Sequence, residues 1–188
     1  ETGSRLIVFP EMNLTGYTAR SEIRDMARPV DDLLLSTFSE MTEKYNVSVL
    51  LGLAEKTPDG RISATHLVFS PDGYRGAYRK IHTAPFEKAH FTAGKKIKLF
   101  EAHGLKFGIQ LCYDAHFPEL SQAMALDGAD VIFIPHASPR GTPAEKYESW
   151  IRHLRARAFD NGVYIAACNQ VGDNGNALSF PGVSLLIG

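Results

Sequence analysis

The chain has 188 residues, with 20 Lys and Arg against 21 Asp and Glu, a formal net charge of −1 and 44% hydrophobic residues. That is enough for one domain with a sizeable core and short for two, and near-neutrality provides no basic footprint for nucleic acid or an anionic membrane. Two cysteines, Cys112 and Cys168, exclude a disulfide framework and a CxxC redox or zinc motif, which fits a reducing, cytoplasmic setting.

In chain order, RLIVF (5–9) reads as a buried strand, and a helix is predicted over 30–45 with Asp31 and Asp32 favourably near its N-terminus. Leu33, Leu34, Phe38 and Met41 are expected to give that helix one apolar face. VSVLLGLAE (47–55), ATHLVFS (64–70) and GAYRKI (76–81) follow, separated by two PDG turns, and predict a meander of hairpins. After an irregular stretch, IKLFEA (97–102) and LKFGIQLC (105–112) predict another hairpin across Gly104. The second half continues with a helix over 118–127, strand ADVIFIP (129–135), a helix over 144–160, strand VYIAACN (163–169) and a last strand in GVSLLIG (182–188). This is an α/β pattern with few helices, which favours sheet packed on sheet with helices outside over a simple doubly wound sheet. No linker divides it, and the apolar runs are too short to span a bilayer.

Three reactive side chains fall at or just past the C-terminal end of an apolar strand: Glu11 after RLIVFP, Lys80 in GAYRKI, and Cys112 closing LKFGIQLC. Ligands bind outside the carboxyl ends of strands in open α/β sheets, so the three are candidates for one site. A cysteine attacks as thiolate, favoured by a nearby cation or a helix N-terminus, and Phe117-Pro118-Glu119 looks like the start of a helix. Glu11 could act as general base, Lys80 as oxyanion partner and the Tyr113 N–H as a second oxyanion donor. On its surroundings alone Cys112 is equally readable as a small buried hydrophobe. Cys168, inside VYIAAC, reads as a core cysteine.

The blocks FPEMNLTGY around Glu11, YRKIHTAPFEKAHFTAG around Lys80, GIQLCYDAHFPEL around Cys112 and RARAFDNGVYIAACNQVG (155–172) resemble the nitrilase superfamily of carbon–nitrogen hydrolases. The resemblance implies an α-β-β-α sandwich that usually dimerises or forms higher homo-oligomers, and a Glu11-Lys80-Cys112 triad that breaks non-peptide C–N bonds through a cysteine thioester without a cofactor. Glu87 matches the family's additional glutamate, which orients the lysine and approaches substrate. Cys112-Tyr113-Asp114 resembles the amidase and carbamoyl-amidase branches, so a small linear amide or N-carbamoyl amine is expected as substrate rather than a nitrile. Many such relatives carry Arg where this chain has His116, so that arginine's role does not transfer, and His116 stands as a candidate substrate contact in its place. Arg140, in HASPRG, is a candidate for binding an anionic group. Family domains usually have one strand before RLIVF and more beyond GVSLLIG, so residues 1–188 are expected to form one carbon–nitrogen hydrolase domain incomplete at both ends. A truncated or inactive relative acting in binding or assembly is the alternative.

The seven histidines provide neither HExxH nor a Cys-His cluster at zinc spacing, so no metal is expected. No phosphate loop is present. Trp150, Tyr147, Ile151 and Leu154 share helical spacing and read as core or as an interface between copies, with the helix carrying Trp150 and Arg157 the expected contact.

Overall fold

The computed structural model describes residues 3–175 and 178–188. One sheet holds β1 (Leu6–Val8), β2 (Ser48–Lys56), β3 (Ile62–Ser70) and β4 (Gly73–Arg79) in that order. The other holds β5 (Leu99–Ala102), β6 (Leu105–Ile109), β7 (Val131–His136), β8 (Tyr164–Asn169) and β11 (Ser184–Ile187), in the order β11-β8-β7-β6-β5. Between β8 and β11 lies a hairpin of β9 (Val171–Asp173) and β10 (Ser179–Pro181), which the sequence pattern did not reveal because its strands are short and mostly polar or exposed.

The two sheets face each other through one core. Leu50, Ala54 and Val68 on the first meet Phe100, Phe107 and Phe133 on the second, and Phe107 touches both aromatic neighbours at ring distances of 5.8 and 5.3 Å. Alternate residues of the same strands, Leu51, Leu53, Leu67 and Phe69, point the other way and pack beneath α2 (Asp32–Tyr45), which follows the one-turn α1 (Ile23–Met26). The unbroken apolar run VLLGLA in β2 is what a strand covered on both faces requires, and burying each such leucine is worth about 2 kcal/mol. On the outer face of the second sheet lie α3 (Pro118–Leu126) and α4 (Pro143–Asn161), completing the four layers.

The helix ends follow their local chemistry. Asp31 Oδ1 accepts the Leu34 N–H at 2.9 Å to start α2, which stops at Asn46 in the left-handed region. Thr142 and Glu145 form a reciprocal capping box at the start of α4, with Pro143 at its first position and Gly162 closing it. The predicted apolar face of α2 is rotated in the structure. Leu34, Leu35 and Phe38 meet the sheet, while Leu33 and Met41 are 75% and 47% exposed. Thr42 takes the inward position instead, donating its hydroxyl to Ser70 O at 2.8 Å, so a polar residue that satisfies a strand-end carbonyl displaced Met41 from the face.

Strand direction brings one edge of the sandwich together. β1 runs parallel to β2, and two antiparallel steps return β4 to the same sense. β6, β7 and β8 are parallel to one another. The segment after β1 is stitched along β2 by side chains: Asn13 Oδ1 accepts the Gly52 N–H at 2.7 Å and Thr15 Oγ1 accepts the Ala54 N–H at 2.9 Å. Those two polar residues of FPEMNLTGY therefore fix where Glu11 sits. The approach is close enough that a Cβ on Gly52 would lie 2.4 Å from the Met12 backbone nitrogen and 2.9 Å from the His66 ring. Gly52→Ala is therefore expected to lower stability by about 1–3 kcal/mol through overpacking, read from the urea midpoint at constant m-value; an unchanged midpoint would show that the turn yields freely.

Candidate active site

At this edge Lys80, immediately after β4, is buried between two carboxylates. Its ammonium donates to Glu11 Oε1 at 2.9 Å and to Glu87 Oε1 at 3.0 Å, and all three residues are no more than 2% exposed. Burial alone would strip the charge from Lys80, but the carboxylates outweigh it and hold the ammonium above its ordinary range. Glu11 moves the other way from most ion-paired acids. Desolvation pushes its carboxyl up, Lys80 pulls it down and Glu87 pushes it up again, leaving it above the usual carboxylate range.

Each carboxylate is held from several sides. Glu11 Oε2 accepts the Ala137 N–H at 3.0 Å from the loop after β7, and the Glu11 carbonyl accepts Gln170 Nε2 at 2.7 Å. Glu87 accepts the Tyr17 hydroxyl at 2.9 Å and the Ala84 N–H at 2.7 Å, inside a turn closed by its own backbone. The strap 91–94 secures Lys80 from the far side, with the Gly94 N–H donating to Lys80 O at 2.7 Å. A Cβ at Gly94 would fall 2.2 Å from Arg79 O, so the FTAG end of the lysine block needs its glycine for this approach.

Cys112 does not close β6 as the sequence suggested. The strand ends at Ile109, and Cys112 opens a 3-10 turn, Cys112–His116, with φ of +46°. A left-handed backbone at a residue other than glycine costs on the order of 1–2 kcal/mol and persists only where surroundings over-determine it. Here the determinant is Asp114. Its buried carboxylate accepts the Tyr78 hydroxyl at 2.8 Å, the Leu111 N–H at 3.0 Å and the His82 N–H at 2.7 Å, with His82 Nδ1 a further 3.0 Å away. Tyr78 and His82 flank Lys80 in the chain, so Asp114 ties the cysteine turn directly to the lysine segment. Arg157 Nε adds a bond from α4 to Ala115 O at 3.2 Å.

The interposed turn overturns one expectation. Cys112 stands before the 3-10 turn and not at the N-terminus of α3, which begins at Pro118, so the long helix's dipole does not favour its thiolate. Burial pushes the thiol well above its ordinary value, Glu11 adds to that, Lys80 and the Ala137 N–H oppose it, and Glu87 raises it further. One ammonium against two carboxylates leaves a formal charge of −1 around the sulfur, and the thiol form wins. The half-buried Cys168, by contrast, faces Val8 O at 3.9 Å with its thiol pushed to about 12 by burial.

Of the other candidates, Tyr113 lies in the turn, and the turn's own hydrogen bonds run from Asp114 N to Leu111 O and from Phe117 N to Asp114 O, without using the Tyr113 N–H. The His116 ring stacks on His153 of α4 at 4.7 Å and is not drawn into the lysine cluster. Arg140 is exposed, with φ of +75° and its backbone N–H on Ser179 O. Sequence reasoning passed over Tyr17, Tyr78, Asp114, Ala137 and Gln170. The motif CYD and the fourth block contained signals for Asp114 and Gln170, whereas a backbone N–H such as that of Ala137 leaves no trace in residue type. Trp150 is a core residue, 4% exposed and stacked on His136 at 3.9 Å, and so is not available as an interface contact. Among the described residues no cluster of three His, Cys, Asp or Glu could hold a metal ion, and no helix is long and apolar enough to cross a membrane.

Comparison with known proteins gives the family and the fold. The carbon–nitrogen hydrolase family matches residues 1–188. An (R)-stereoselective amidase of Pseudomonas sp. is 30% identical over 97% of this chain and 65% of its own length, and a nitrilase of Pyrococcus abyssi is 33% identical over 98% and 68% respectively. The crystal structure of a carbon–nitrogen hydrolase from Helicobacter pylori G27 superimposes with a TM-score of 0.86 at 27% identity, covering 98% of this chain and 70% of that one. The chain thus spans about two-thirds of the length of the relatives it matches.

The electrostatics make an opposed pair of predictions for Glu11→Gln. Because the wild-type thiol sits above its ordinary value, alkylation of Cys112 by iodoacetamide is expected to be slower than that of a free cysteine at pH 7 and to keep rising into alkaline pH. Removing the Glu11 charge lowers the thiol's pKa, so alkylation of the variant at pH 7–8 should accelerate, by about tenfold for each unit of downward shift. A slower reaction would contradict the assigned charge balance.

Proposed function

Since the chain belongs to the carbon–nitrogen hydrolase family, we propose that it hydrolyses the C–N bond of a small linear amide or N-carbamoyl amine through a thioester on Cys112. The observation that carries this reading is a half-buried cysteine in a strained turn next to a buried lysine gripped by two carboxylates. A neutral thiol with a carboxylate of raised pKa beside it is suited to general-base activation.

In the first half-reaction Cys112 Sγ attacks the carbonyl carbon while its proton passes to the Glu11 carboxylate. The new C–S bond leaves a tetrahedral oxyanion for the Lys80 ammonium and the Tyr113 N–H to stabilise. Collapse breaks the C–N bond as Glu11 returns that proton to the departing nitrogen, releasing ammonia or an amine. In the second half-reaction water attacks the thioester, Glu11 takes one of its protons, the C–S bond breaks, and the proton returns to sulfur as the acid leaves. Lys80 keeps its proton throughout, which agrees with its strongly favoured charged form. Glu87 orients Lys80 in this scheme and faces the substrate side.

An amide is favoured over a nitrile by the Cys112-Tyr113-Asp114 pattern. The Asp114 carboxylate is spent on Tyr78, His82 and Leu111, so any preference it marks acts through the shape of the turn and not by contact. A cytoplasmic, reducing location suits two free cysteines. For the homo-oligomer we favour the outer face of α4, where Phe159 is 89% exposed, over the inward face carrying Trp150.

Intact-mass spectrometry over a panel of small amides and N-carbamoyl compounds tests the reading. Wild type should gain an acyl mass that Cys112→Ala lacks. Lys80→Ala should lose acylation by at least about a hundredfold, the scale of removing one oxyanion donor, while still reacting with an alkylator. Undiminished turnover in Cys112→Ala would sink the thioester route.

A further inference from the structure

The charge around Cys112 poses a problem of selectivity that a fourth residue answers. Glu11 and Glu87 outnumber Lys80, so an anionic substrate would be repelled unless a second cation stood near. Lys146, in the first turns of α4, is that cation. Its Nζ donates to Ser138 Oγ at 2.8 Å and to Pro139 O at 3.2 Å. These acceptors follow directly on Ala137, the residue whose N–H bonds Glu11 and faces the thiol. Asn169 clamps the same loop, accepting the Ser138 N–H at 2.8 Å and donating to Ser138 O at 3.0 Å, so the ammonium is mounted on a rigid support.

Lys146 is half-buried, and among the described residues no carboxylate lies within ion-pair distance of it, whereas Lys80, Arg79 and Arg61 are all paired. An ammonium carries three N–H donors, and the two loop oxygens use two. Burial works against its charge and a thiolate at Cys112 would work for it, which places the two groups in mutual electrostatic range. An unpaired, partly desolvated cation with a donor to spare, mounted on the loop whose Ala137 N–H bonds Glu11, is built to meet an anion.

We propose that Lys146 is a specificity-determining residue that recognises a carboxylate on the amide substrate, in the role that the sequence suggested for the more exposed Arg140. This rests on the thioester reading above. The carboxylate could belong to the acyl part, as in a monoamide of a dicarboxylic acid, or to the amine part, as in an N-carbamoyl amino acid; the ammonium recognises the same group in both.

The test compares kcat/KM for succinamate and N-carbamoyl-β-alanine with that for neutral butyramide in wild type, Lys146→Met and Lys146→Arg. Wild type should prefer at least one charged substrate by about tenfold or more, the scale of one charge-assisted hydrogen bond. Lys146→Met should reduce that charged-to-neutral ratio by about tenfold, and Lys146→Arg should keep it within about threefold. Which charged substrate shows the effect identifies the part that carries the carboxylate. A merely structural lysine would lower all three values together and leave the ratio unchanged, which would overturn the proposal. Turnover of butyramide with no preference for either charged substrate would overturn it while leaving the thioester reading intact; no acylation by any of the three would overturn both.

Discussion

Burying the ammonium of Lys80 is the constraint on which the rest of this structure depends. Removing such an ion from water costs several kcal/mol even after relaxation, and the cost is offset only if opposite charges arrive with good geometry. Here they arrive from different parts of the chain: Glu11 beyond β1 and Glu87 in the loop after β4, with Glu11 tied in turn to Ala137 beyond β7. The ends of the first sheet's two edge strands must therefore come together for the lysine to be tolerated, and the Ala137 N–H ties Glu11 to the second sheet. A cluster that demands assembly of the fold's edge also places its donors and acceptors within about 3 Å of one another.

The same imbalance sets the chemistry. Two carboxylates hold one ammonium so firmly that it does not give up its proton, and burial together with the surplus negative charge keeps the neighbouring thiol protonated. Nucleophilicity then depends on a base that acts at the moment of attack, and desolvation has already raised Glu11 toward that use. Asp114 solves a separate problem, holding a non-glycine residue at positive φ by spending a buried carboxylate on the Tyr78 hydroxyl and two backbone N–H groups. Lys146 extends the electrostatic argument outward, to what the pocket admits.

Much of this was legible in the sequence. Continuous apolar runs and PDG turns located the strands of the first sheet, because a strand covered on both faces has no polar alternation to blur it. The expectation that Glu11 and Lys80 converge rested on their places at strand ends, and the parallel sense of β1 and β4 does bring those ends to one edge, whereas Glu87 in the following loop was expected only from the family resemblance. The face of α2 was misjudged because Thr42, satisfying Ser70 O, outcompeted Met41 for the inward position, and periodicity counts apolar side chains only. The 3-10 turn was missed because Gln110 and Leu111 continue the polar–apolar alternation past Ile109, and the Gln110 N–H still bonds Phe133 O of β7 where β6 has ended. The upward shift of the thiol has a separate origin in burial and the Glu11 charge, which come from tertiary packing and leave no local pattern. Lys146 was invisible for a different reason: its place on the loop that bonds Glu11 comes from the packing of α4 against the segment after β7, which no local pattern records.

A double-mutant cycle on stability tests the central claim, that Lys80 and Glu11, which follow the two edge strands of the first sheet, are one energetic unit. Urea unfolding at pH 7 would be followed for wild type, Lys80→Met, Glu11→Gln and the double variant. Lys80→Met should cost about 3 kcal/mol or more by leaving two buried carboxylates without their cation, and Glu11→Gln should cost less because Glu87 still pairs with Lys80. The double variant should be more stable than the sum of the singles predicts by at least about 1.5 kcal/mol, within the range known for residues sharing one charge network. Costs that add to within about 0.5 kcal/mol would show that the two groups act independently and would contradict the account.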